Sequence, residues 1–311
     1  MTETIGVLLM AYGGPNSLED IPAFLLDIRG GRPTSQELID EITENYRKIG
    51  GKSPLLELTR LQACLLEQEL NADAPPDVRY KTYIGMRHWT PWIKETVDQI
   101  MADGIRRAVA LVLAPHYSSM SIAKYFAKLD DALREHNTPF TYHAITSYHA
   151  HPLYIEALAR RVRQGLADMP PDTLVIFSAH SLPVRIMEQG DPYDSQLRET
   201  ARLVAEKSGL PSEQWVFSYQ SAGRSPEPWL GPQIEALVVE LAERGHRHLL
   251  SCVVGFVADH VEVLFDIDIK AKQAAENAGA QLERVPSLNE DPLFIAALAD
   301  LVRQQERIRQ A

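Results

Sequence analysis

Short apolar runs alternate with longer amphipathic segments along all 311 residues of the chain. This alternation indicates a parallel β-sheet covered by helices, because two parallel strands need a long crossover connection that is usually helical. Segments such as GPQIEALVVELAERG repeat apolar residues at helical spacing and supply those crossovers. We therefore predict a doubly wound α/β fold with strands at residues 5–12, 78–85, 108–115, 140–145, 173–180, 214–221 and 248–256.

The predicted strands fall into two groups on either side of residue 145. This grouping predicts two Rossmann-like lobes, each with a parallel four-stranded sheet flanked by helices, over residues 1–145 and 146–287. A final helix at about 288–311 is expected to pack back on the first lobe. Ligands of such sheets bind beyond the carboxyl ends of the strands, so we expect a ligand cleft between the lobes.

Composition excludes several classes of protein. The chain is 45% hydrophobic and 23% charged, as globular proteins are, and its net charge of −11 disfavours nucleic acid as a partner. Cys64 and Cys252 form no Cys-x-x-Cys pattern and are expected to be reduced core thiols, not ligands of zinc or an iron–sulfur cluster. With no signal-peptide pattern and no run of roughly 18–20 apolar residues, the sequence predicts a cytoplasmic protein.

The strand at 173–180 ends in the motif SAHSLP. Pro183 has no N–H to donate and restricts the residue before it, so the strand stops and His180 is expected at its mouth. A buried, uncharged imidazole can accept a proton or coordinate a metal ion. The alternative, which the residues leave open, is a histidine that only makes structural hydrogen bonds.

A second candidate is the segment GFVADHVEVLFDID at residues 255–268. If Asp259 caps a helix here, Glu262 and Asp266 share one face, with Ile269 or Lys270 next along it. Two carboxylates one turn apart repel each other among apolar neighbours, and a cation would relieve that repulsion. With His180, Glu262 would form a partial metal site with open positions, where the metal is a passing substrate. The alternative is a solvated acidic face at a helix N-terminus.

Other side chains lie at the ends of predicted elements. Tyr12 ends the first strand, in MAYGGP, and Arg29, Arg32 and Arg87 are available to pair with carboxylates, although single arginines are commonly surface residues. The stretch LAPHYSS before a helix is compatible with a phosphate site. No G-x-G-x-x-G or G-x-x-x-x-G-K-[ST] motif is present, which argues against a nucleotide ligand.

The order and spacing of these motifs resemble the ferrochelatase family, and specifically its short, soluble bacterial type that acts on coproporphyrin III. SAHSLP together with GFVADHVEVL carries the most specific part of this resemblance. The resemblance spans residues 10 to about 268, through the motifs MAYGGP, DIRGGRP, YRKIGGKSPL, YIGMRHWTPWI, LAPHYSS, SAHSLP, GDPY, SPEPWLGP and GFVADHVEVLFD.

The resemblance implies a chelatase-like bilobal lyase that inserts ferrous iron into a porphyrin held in the cleft. It assigns His180 and Glu262 as catalytic residues and metal ligands, with Asp266 on an outer metal path. Tyr12 would approach the porphyrin iron from the opposite face as an axial ligand. The implied porphyrin contacts, including those to propionates, are Tyr12, Arg29, Tyr46, Ser53 and Tyr125.

The chain departs from the family pattern at several positions. Where relatives continue the line of acids, this chain has Ile269 and Lys270, so Asp268 or solvent would have to complete a metal path. Asn45 stands where an arginine often precedes the tyrosine of the YRKIGG motif, which weakens one propionate contact. The four cysteines of a [2Fe–2S] cluster and the membrane-docking extension of some relatives are both missing.

The resulting prediction is an enzyme of haem biosynthesis, with coproporphyrin III and Fe²⁺ as substrates. We predict a monomer with no permanently bound cofactor, no iron–sulfur cluster, no membrane insertion and a transient handover to a downstream haem-synthesis enzyme; a regulatory Mg²⁺ is left open. Three alternatives remain: a protoporphyrin IX ferrochelatase, a cobalt or iron chelatase of cobalamin or sirohaem synthesis, and a non-catalytic haem- or metal-binding protein.

Overall fold

The computed structural model describes residues 2–310, with side chains to residue 306. Its strands lie where the apolar runs predict them, although β3 and β7 end about three residues earlier than expected. Among the described residues the strands are β1 Glu3–Ala11, β2 Val78–Met86, β3 Arg107–Val112, β4 Thr141–Ile145, β5 Leu174–His180, β6 Trp215–Gln220, β7 His248–Val253 and β8 Gln281–Arg284.

Helices connect all the strands. Two short 3₁₀ turns, Leu18–Asp20 and Ser212–Gln214, and a π-helix at Asp266–Ala271 add to the α-helices. The α-helices are α1 Ile21–Ile28, α2 Gln36–Lys48, α3 Leu55–Ala72, α4 Ile93–Ala102, α5 Ile122–Leu133, α6 Pro152–Ala167, α7 Arg185–Glu188, α8 Tyr193–Ser208, α9 Ile234–Glu243, α10 Val261–Leu264, α11 Lys272–Asn277 and α12 Pro292–Gln310.

The first compact unit contains residues 2–115, 119–148 and 289–310 of the described chain. Its parallel sheet has the order β2-β1-β3-β4, with β1 buried from Ile5 to Ala11 at its centre. Helix α12 belongs to this unit. Arg303 of α12 donates to the carbonyl oxygen of Glu69 in α3 at 2.7 Å, and the buried Glu306 pairs with Arg107 of β3 at 3.0 Å. The unit is therefore assembled from segments far apart in sequence.

The second compact unit contains residues 116–118 and 149–288. Its parallel sheet has the order β6-β5-β7-β8, so β5 lies between two partners and its first six residues are buried. The edge strand β8 is not among the predicted strands, because it has only four residues, QLER, of which only Leu282 is buried. The two four-stranded parallel sheets confirm the predicted α/β class.

The structure bears on the predictions made for the two cysteines and for membrane-spanning helices. Cys252 is a buried free thiol, as expected of a core residue, whereas Cys64 is exposed on the outer face of α3, so the prediction of a second core thiol is wrong. Among residues 2–310, no helix is both long enough and apolar enough to cross a bilayer.

The outer edge of β2 is capped by side chains of α3. The Asn71 side chain accepts from the Tyr80 N–H and donates to the Tyr80 carbonyl oxygen, both at 2.9 Å. The Glu67 carboxylate accepts from the Thr82 N–H at 2.7 Å and from its hydroxyl at 3.0 Å. These backbone groups would otherwise be open to pairing with another strand, so α3 protects the edge from self-association.

We expect Asn71→Ala to lower the free energy of unfolding by about 1–3 kcal/mol, because two backbone groups of Tyr80 lose their hydrogen-bond partner. The same variant should form more dimers and larger species at high concentration. Urea denaturation and light scattering measure the two effects. Gln68→Ala is the matched control, since Gln68 is exposed on the same helix and its side chain donates to the Cys64 sulfur instead of to β2. Equal behaviour of the two variants would contradict the edge-cap interpretation.

Candidate active site

His180 is the last residue of β5, so the central strand of the second sheet delivers it to the carboxyl edge. The chain turns immediately afterwards and is held there. The Ser181 N–H donates to the Gln220 carbonyl oxygen at 2.8 Å, and the Ser181 hydroxyl donates to that of Leu230 at 2.7 Å. The Tyr193 hydroxyl donates to the His180 carbonyl oxygen at 3.0 Å. The backbone of His180 is thus fixed from two sides.

Glu262 lies in α10, on the connection that follows β7, and its side chain contacts His180. Glu262 Oε2 is 2.8 Å from His180 Nδ1. The side chain of Gln220, at the end of β6, links the two elements: its Nε2 donates to the Glu262 carbonyl oxygen at 2.6 Å, while its Oε1 accepts from the Ser178 hydroxyl at 2.9 Å. The structure therefore brings the two predicted residues together, and adds Gln220 and Ser178 as supports that sequence reasoning missed.

Gly255 allows the connection after β7 to pass close over β5. A Cβ atom at this position would lie 2.6 Å from the Cβ and 2.9 Å from the Cα of Ala179, which is closer than real Cβ atoms come. The Gly255 N–H donates to the Ser178 carbonyl oxygen at 3.2 Å across this close approach. The glycine in the GFVADH motif is thus needed for α10 to begin beside His180.

Burial and charge act in opposite directions on this pair. Burial raises the pKa of Glu262, but the charge and hydrogen bond of His180 outweigh it and lower that pKa to about 2. Burial lowers the pKa of His180, but the carboxylates of Glu262 and Asp266 outweigh it, so that pKa is raised. The raised pKa makes the His180 ring a stronger proton acceptor than burial alone would leave it. With 31% and 29% of their side chains exposed, both groups remain accessible to a ligand.

Asp266 opens the π-helix one turn beyond Glu262. Its carboxylate accepts a hydrogen bond from the hydroxyl of Ser221, a residue with left-handed backbone geometry (φ 58°) just after β6. Burial raises the pKa of Asp266 to about 6, the Ser221 hydrogen bond opposes that shift, and the Glu262 charge adds to it. Asp266 is therefore a carboxyl group that titrates near neutral pH beside Glu262.

The predicted acidic stripe differs from the structure after Asp266. The N-cap of α10 is His260 and not Asp259. The Asp259 carboxylate instead accepts from the Ser287 hydroxyl at 2.7 Å. The π-helix then adds a residue to the turn, so the i, i+4, i+8 spacing no longer describes one face. Lys270 Nζ is 3.0 Å from the carboxylate of Glu235 in α9.

Asp268 does not continue the acidic line either. Its two carboxylate oxygens accept from Arg284 Nε at 2.6 Å and Arg284 Nη2 at 2.8 Å, a bidentate pair. Of the two predicted continuations of a metal path, Asp268 or solvent, this pairing favours solvent, because both oxygens of Asp268 are engaged by a half-buried guanidinium. In the part of the chain that the structure describes, no three His, Cys, Asp or Glu side chains converge as a ready-made metal site.

Tyr12 follows β1 in the first unit and 41% of its surface is exposed. Its ring centroid lies 4.6 Å from that of His88 and 6.5 Å from that of Phe24. His88 Nδ1 is 2.7 Å from Asp27 Oδ2, and burial, aided by the charges of Arg87 and Lys128, lowers the pKa of His88 to about 4 despite Asp27. Sequence reasoning missed Asp27 and His88, although His88 stands in the quoted motif YIGMRH.

The remaining predicted porphyrin contacts also lie in the first unit, in different settings. Tyr46 and Ser53 are buried beside the loop after β1, where the Ser53 N–H donates to the Pro15 carbonyl oxygen at 2.9 Å. A Cβ atom on Gly14 would lie 2.7 Å from Ser53 Cβ and 3.9 Å from the Tyr46 hydroxyl oxygen, so the glycine admits both. Tyr125 is buried in α5, and Arg29 is exposed just after α1.

The fold defines a class of protein. SirB from Bacillus subtilis, solved with Fe³⁺, superposes with a TM-score of 0.58 over 97% of this chain and 95% of its own, at 10% sequence identity. The same SirB fold, solved with cobalt, is described as a sirohydrochlorin chelatase. The likeness at this identity concerns the fold alone, and it is the chelatase fold.

Sequence comparison narrows the class to one family. The Ferrochelatase family model matches residues 4–306. The ferrochelatase of Deinococcus radiodurans is 53% identical over 305 residues, which cover 97% of this chain and 96% of that protein. The coproporphyrin III ferrochelatase of Geobacillus sp. WCH70 is 41% identical over 309 residues, 98% of each chain. The chain belongs to the ferrochelatase family, and it is accordingly a lyase.

Asp266→Asn should change stability in a pH-dependent way. A carboxyl whose pKa is raised from 3.8 to about 6 by folding stabilises the native state below pH 4, and that stabilisation is lost as the pH rises through 6. Asparagine carries no charge to bury and can still accept from the Ser221 hydroxyl. Relative to the natural chain, the variant should therefore gain free energy of unfolding between pH 4 and pH 8, as measured by urea denaturation. A difference independent of pH would contradict the raised pKa.

Proposed function

We propose that this enzyme inserts ferrous iron into coproporphyrin III, giving coprohaem, as a step of haem biosynthesis. The observation that carries the proposal is the accessible His180–Glu262 pair, 2.8 Å apart at the carboxyl edge of the second sheet. Iron entry releases two pyrrole N–H protons, so the reaction needs a proton acceptor close to weak metal ligands. An imidazole paired with a carboxylate supplies both functions.

In the proposed proton step, His180 accepts one of the two pyrrole protons once its ring nitrogen has released the iron, and the other proton leaves to water. Glu262 holds the Nδ1–H, which leaves Nε2 as the ring nitrogen with a lone pair in the neutral tautomer. The carboxylate raises the pKa of His180 and balances the imidazolium charge that forms, so proton transfer creates no unpaired buried charge. Gln220 holds the Glu262 backbone during this step, because its side chain joins α10 to β5 and β6.

In the proposed metal step, the same two side chains bring Fe²⁺ to the macrocycle. Imidazole nitrogen and carboxylate oxygen are both ligands that ferrous iron accepts. Two protein ligands leave most coordination positions open, and an incompletely coordinated ion is free to transfer to the porphyrin nitrogens. Asp266, one turn beyond Glu262 and with a pKa of about 6, is proposed as an outer stopping point for the incoming cation.

The porphyrin contacts are proposed from the first unit. Tyr12, Arg29, Tyr46, Ser53 and Tyr125 would hold the macrocycle and its propionates, and Tyr12 would be the axial ligand on the face opposite to His180. Clamped propionates would let remote binding energy support the ring distortion that metal entry requires. Coproporphyrin III carries four propionates and protoporphyrin IX two, so the first gains more from such contacts. Relatives about 40% identical to this chain are named coproporphyrin III ferrochelatases, which supports the choice.

His180→Ala should lower the rate of iron insertion by at least about a hundredfold, because the proton acceptor is removed. Binding of coproporphyrin III should remain. The rate is measured anaerobically with Fe²⁺, and binding by quenching of porphyrin fluorescence. His246→Ala is the matched control, because His246 lies in the turn before β7 and away from the pair. Iron insertion that survives intact in His180→Ala would contradict the assigned role.

Coproporphyrin III should be metallated with a higher kcat/KM than protoporphyrin IX under identical anaerobic conditions, since only the former presents four carboxylates. The two rates are followed by the absorbance of the metallated products. A turnover of protoporphyrin IX that is equal or faster would remove the proposed substrate preference and leave the iron-insertion chemistry in place.

A further inference from the structure

The segment that carries Glu262 and Asp266 has little helical stability of its own. Helix α10 is a single turn, Val261–Leu264, and its N-cap His260 makes no side-chain capping hydrogen bond. A single turn orders several residues for few backbone hydrogen bonds, and a π-helix follows it directly. The segment therefore depends on contacts with the rest of the second unit.

Apolar contacts hold one side of this segment. Val263, Ile267 and Ala271 belong to the same buried core cluster as Ile234 and Leu237 of α9. Hydrophobic contacts are non-directional, so they hold the segment against the core without fixing its exact path. The path needs polar contacts with defined geometry.

Arg284, the last residue of β8, supplies directional contacts. Its Nε and Nη2 donate to the two carboxylate oxygens of Asp268 at 2.6 and 2.8 Å, and its Nη1 lies 3.3 Å from the Asp259 carboxylate. The Ser287 hydroxyl lies 3.3 Å from the same Nη1 and donates to Asp259 at 2.7 Å. One guanidinium thus pairs with acids on both sides of the stretch that bears Glu262.

The Arg284 side chain is engaged within the protein. Only 12% of it is exposed, and its Nη1 also donates to the Val285 carbonyl oxygen at 3.2 Å, so all three nitrogens have protein partners. A planar guanidinium in a bidentate pair is fixed in orientation. Its removal would leave two partly buried carboxylates, Asp259 and Asp268, without their shared cation, and like charges repel each other.

We propose that Arg284 is a positioning residue for iron insertion. Its two ion pairs hold the stretch between Asp259 and Asp268, and that stretch in turn holds Glu262 against His180. The inference rests on the proposed function and adds to it a residue that acts through Glu262. Without the two pairs, the Glu262 carboxylate would no longer be held 2.8 Å from the imidazole. A misplacement of about 1 Å can cost about a hundredfold in rate.

The test compares Arg284→Met with the natural chain in anaerobic assays. Methionine removes both ion pairs and keeps an apolar side chain. KM for Fe²⁺ should rise and kcat/KM for Fe²⁺ should fall by about tenfold or more, because a metal ligand is misplaced. KM for coproporphyrin III should stay unchanged. A mere loss of folded protein would lower the apparent kcat and leave KM for Fe²⁺ unchanged, so the two explanations are distinguishable.

The same substitution is then made in the Glu262→Gln variant. If Arg284 acts through the carboxylate of Glu262, Arg284→Met should cause no more than about a twofold further loss in this background, because the group to be positioned is already gone. A role that is independent of Glu262 would give the same fold-loss in both backgrounds and would overturn the proposal.

Lys272→Met is the matched control. Lys272 follows the π-helix directly and pairs with Glu283 at 3.2 Å, but 37% of its side chain is exposed. Exposed pairs of this kind contribute little, so the kinetic constants of the control should equal those of the natural chain.

Arg284→Lys covers the case in which urea denaturation shows that Arg284→Met does not fold. Lysine keeps the charge between the two acids but lacks the planar fork that pairs with both. It should show the same pattern with a smaller rise in KM for Fe²⁺. In that case, a folded Arg284→Lys with an unchanged KM for Fe²⁺ would overturn the proposal.

The outcomes separate the positioning role from the proposed function. Unchanged kinetics in a folded Arg284→Met would overturn the role of Arg284 and leave iron insertion standing. A natural chain that inserts no iron would contradict the proposed function, and calorimetric titration with Fe²⁺ in the absence of porphyrin would then decide the role. Weaker Fe²⁺ binding in Arg284→Met would support it, and equal binding would overturn it.

Discussion

The hydrogen bond between His180 and Glu262 is the interaction on which the geometry of the candidate site depends. Each group alone would be penalised by burial, since an isolated imidazolium or carboxylate loses its hydration there. Together, 2.8 Å apart, the carboxylate and the imidazole balance each other's charge. Their pKa values move in opposite directions from the usual range, and this divergence is typical of residues that share an acid–base task.

The parallel sheet explains why these two residues meet. His180 ends the central strand β5, and Glu262 follows the neighbouring strand β7, so both belong to the carboxyl edge where such sheets place their ligands. The exact placement of Glu262 beside His180 comes from contacts between neighbouring strands and the connections that follow them. Gly255 lets the backbone pass within van der Waals distance of Ala179, and Gln220 links the strand ends to α10. The candidate site is therefore held by backbone geometry more than by the side chains of His180 and Glu262 themselves.

The sequence was sufficient for the elements with strong local signals. Long apolar runs predicted β1 and β5, and the proline after His180 marked the end of β5. Weak local signals were not sufficient. Strand β8 has four mostly polar residues, and a run of that length is too short to show the alternation of apolar and polar residues that indicates a strand. The π-helix has no signature in residue spacing, which is why the predicted acidic stripe fails beyond Asp266. The predicted cap, Asp259, was wrong by one residue, since His260 is the N-cap. The Asp27–His88 pair joins residues 61 positions apart, a contact that only the folded chain reveals.

The first unit is assembled from segments far apart in the sequence, and this affects how the polypeptide folds while it is being synthesised. Helix α12 belongs to the first unit but is synthesised after the long continuous segment of the second unit, residues 149–288. Arg107 and Glu69 therefore meet their partners Glu306 and Arg303 only after the second unit's segment has been made. During N-to-C synthesis the first unit thus lacks one of its helices until the segment of the second unit has been made, so the usual order of domain completion does not apply to it.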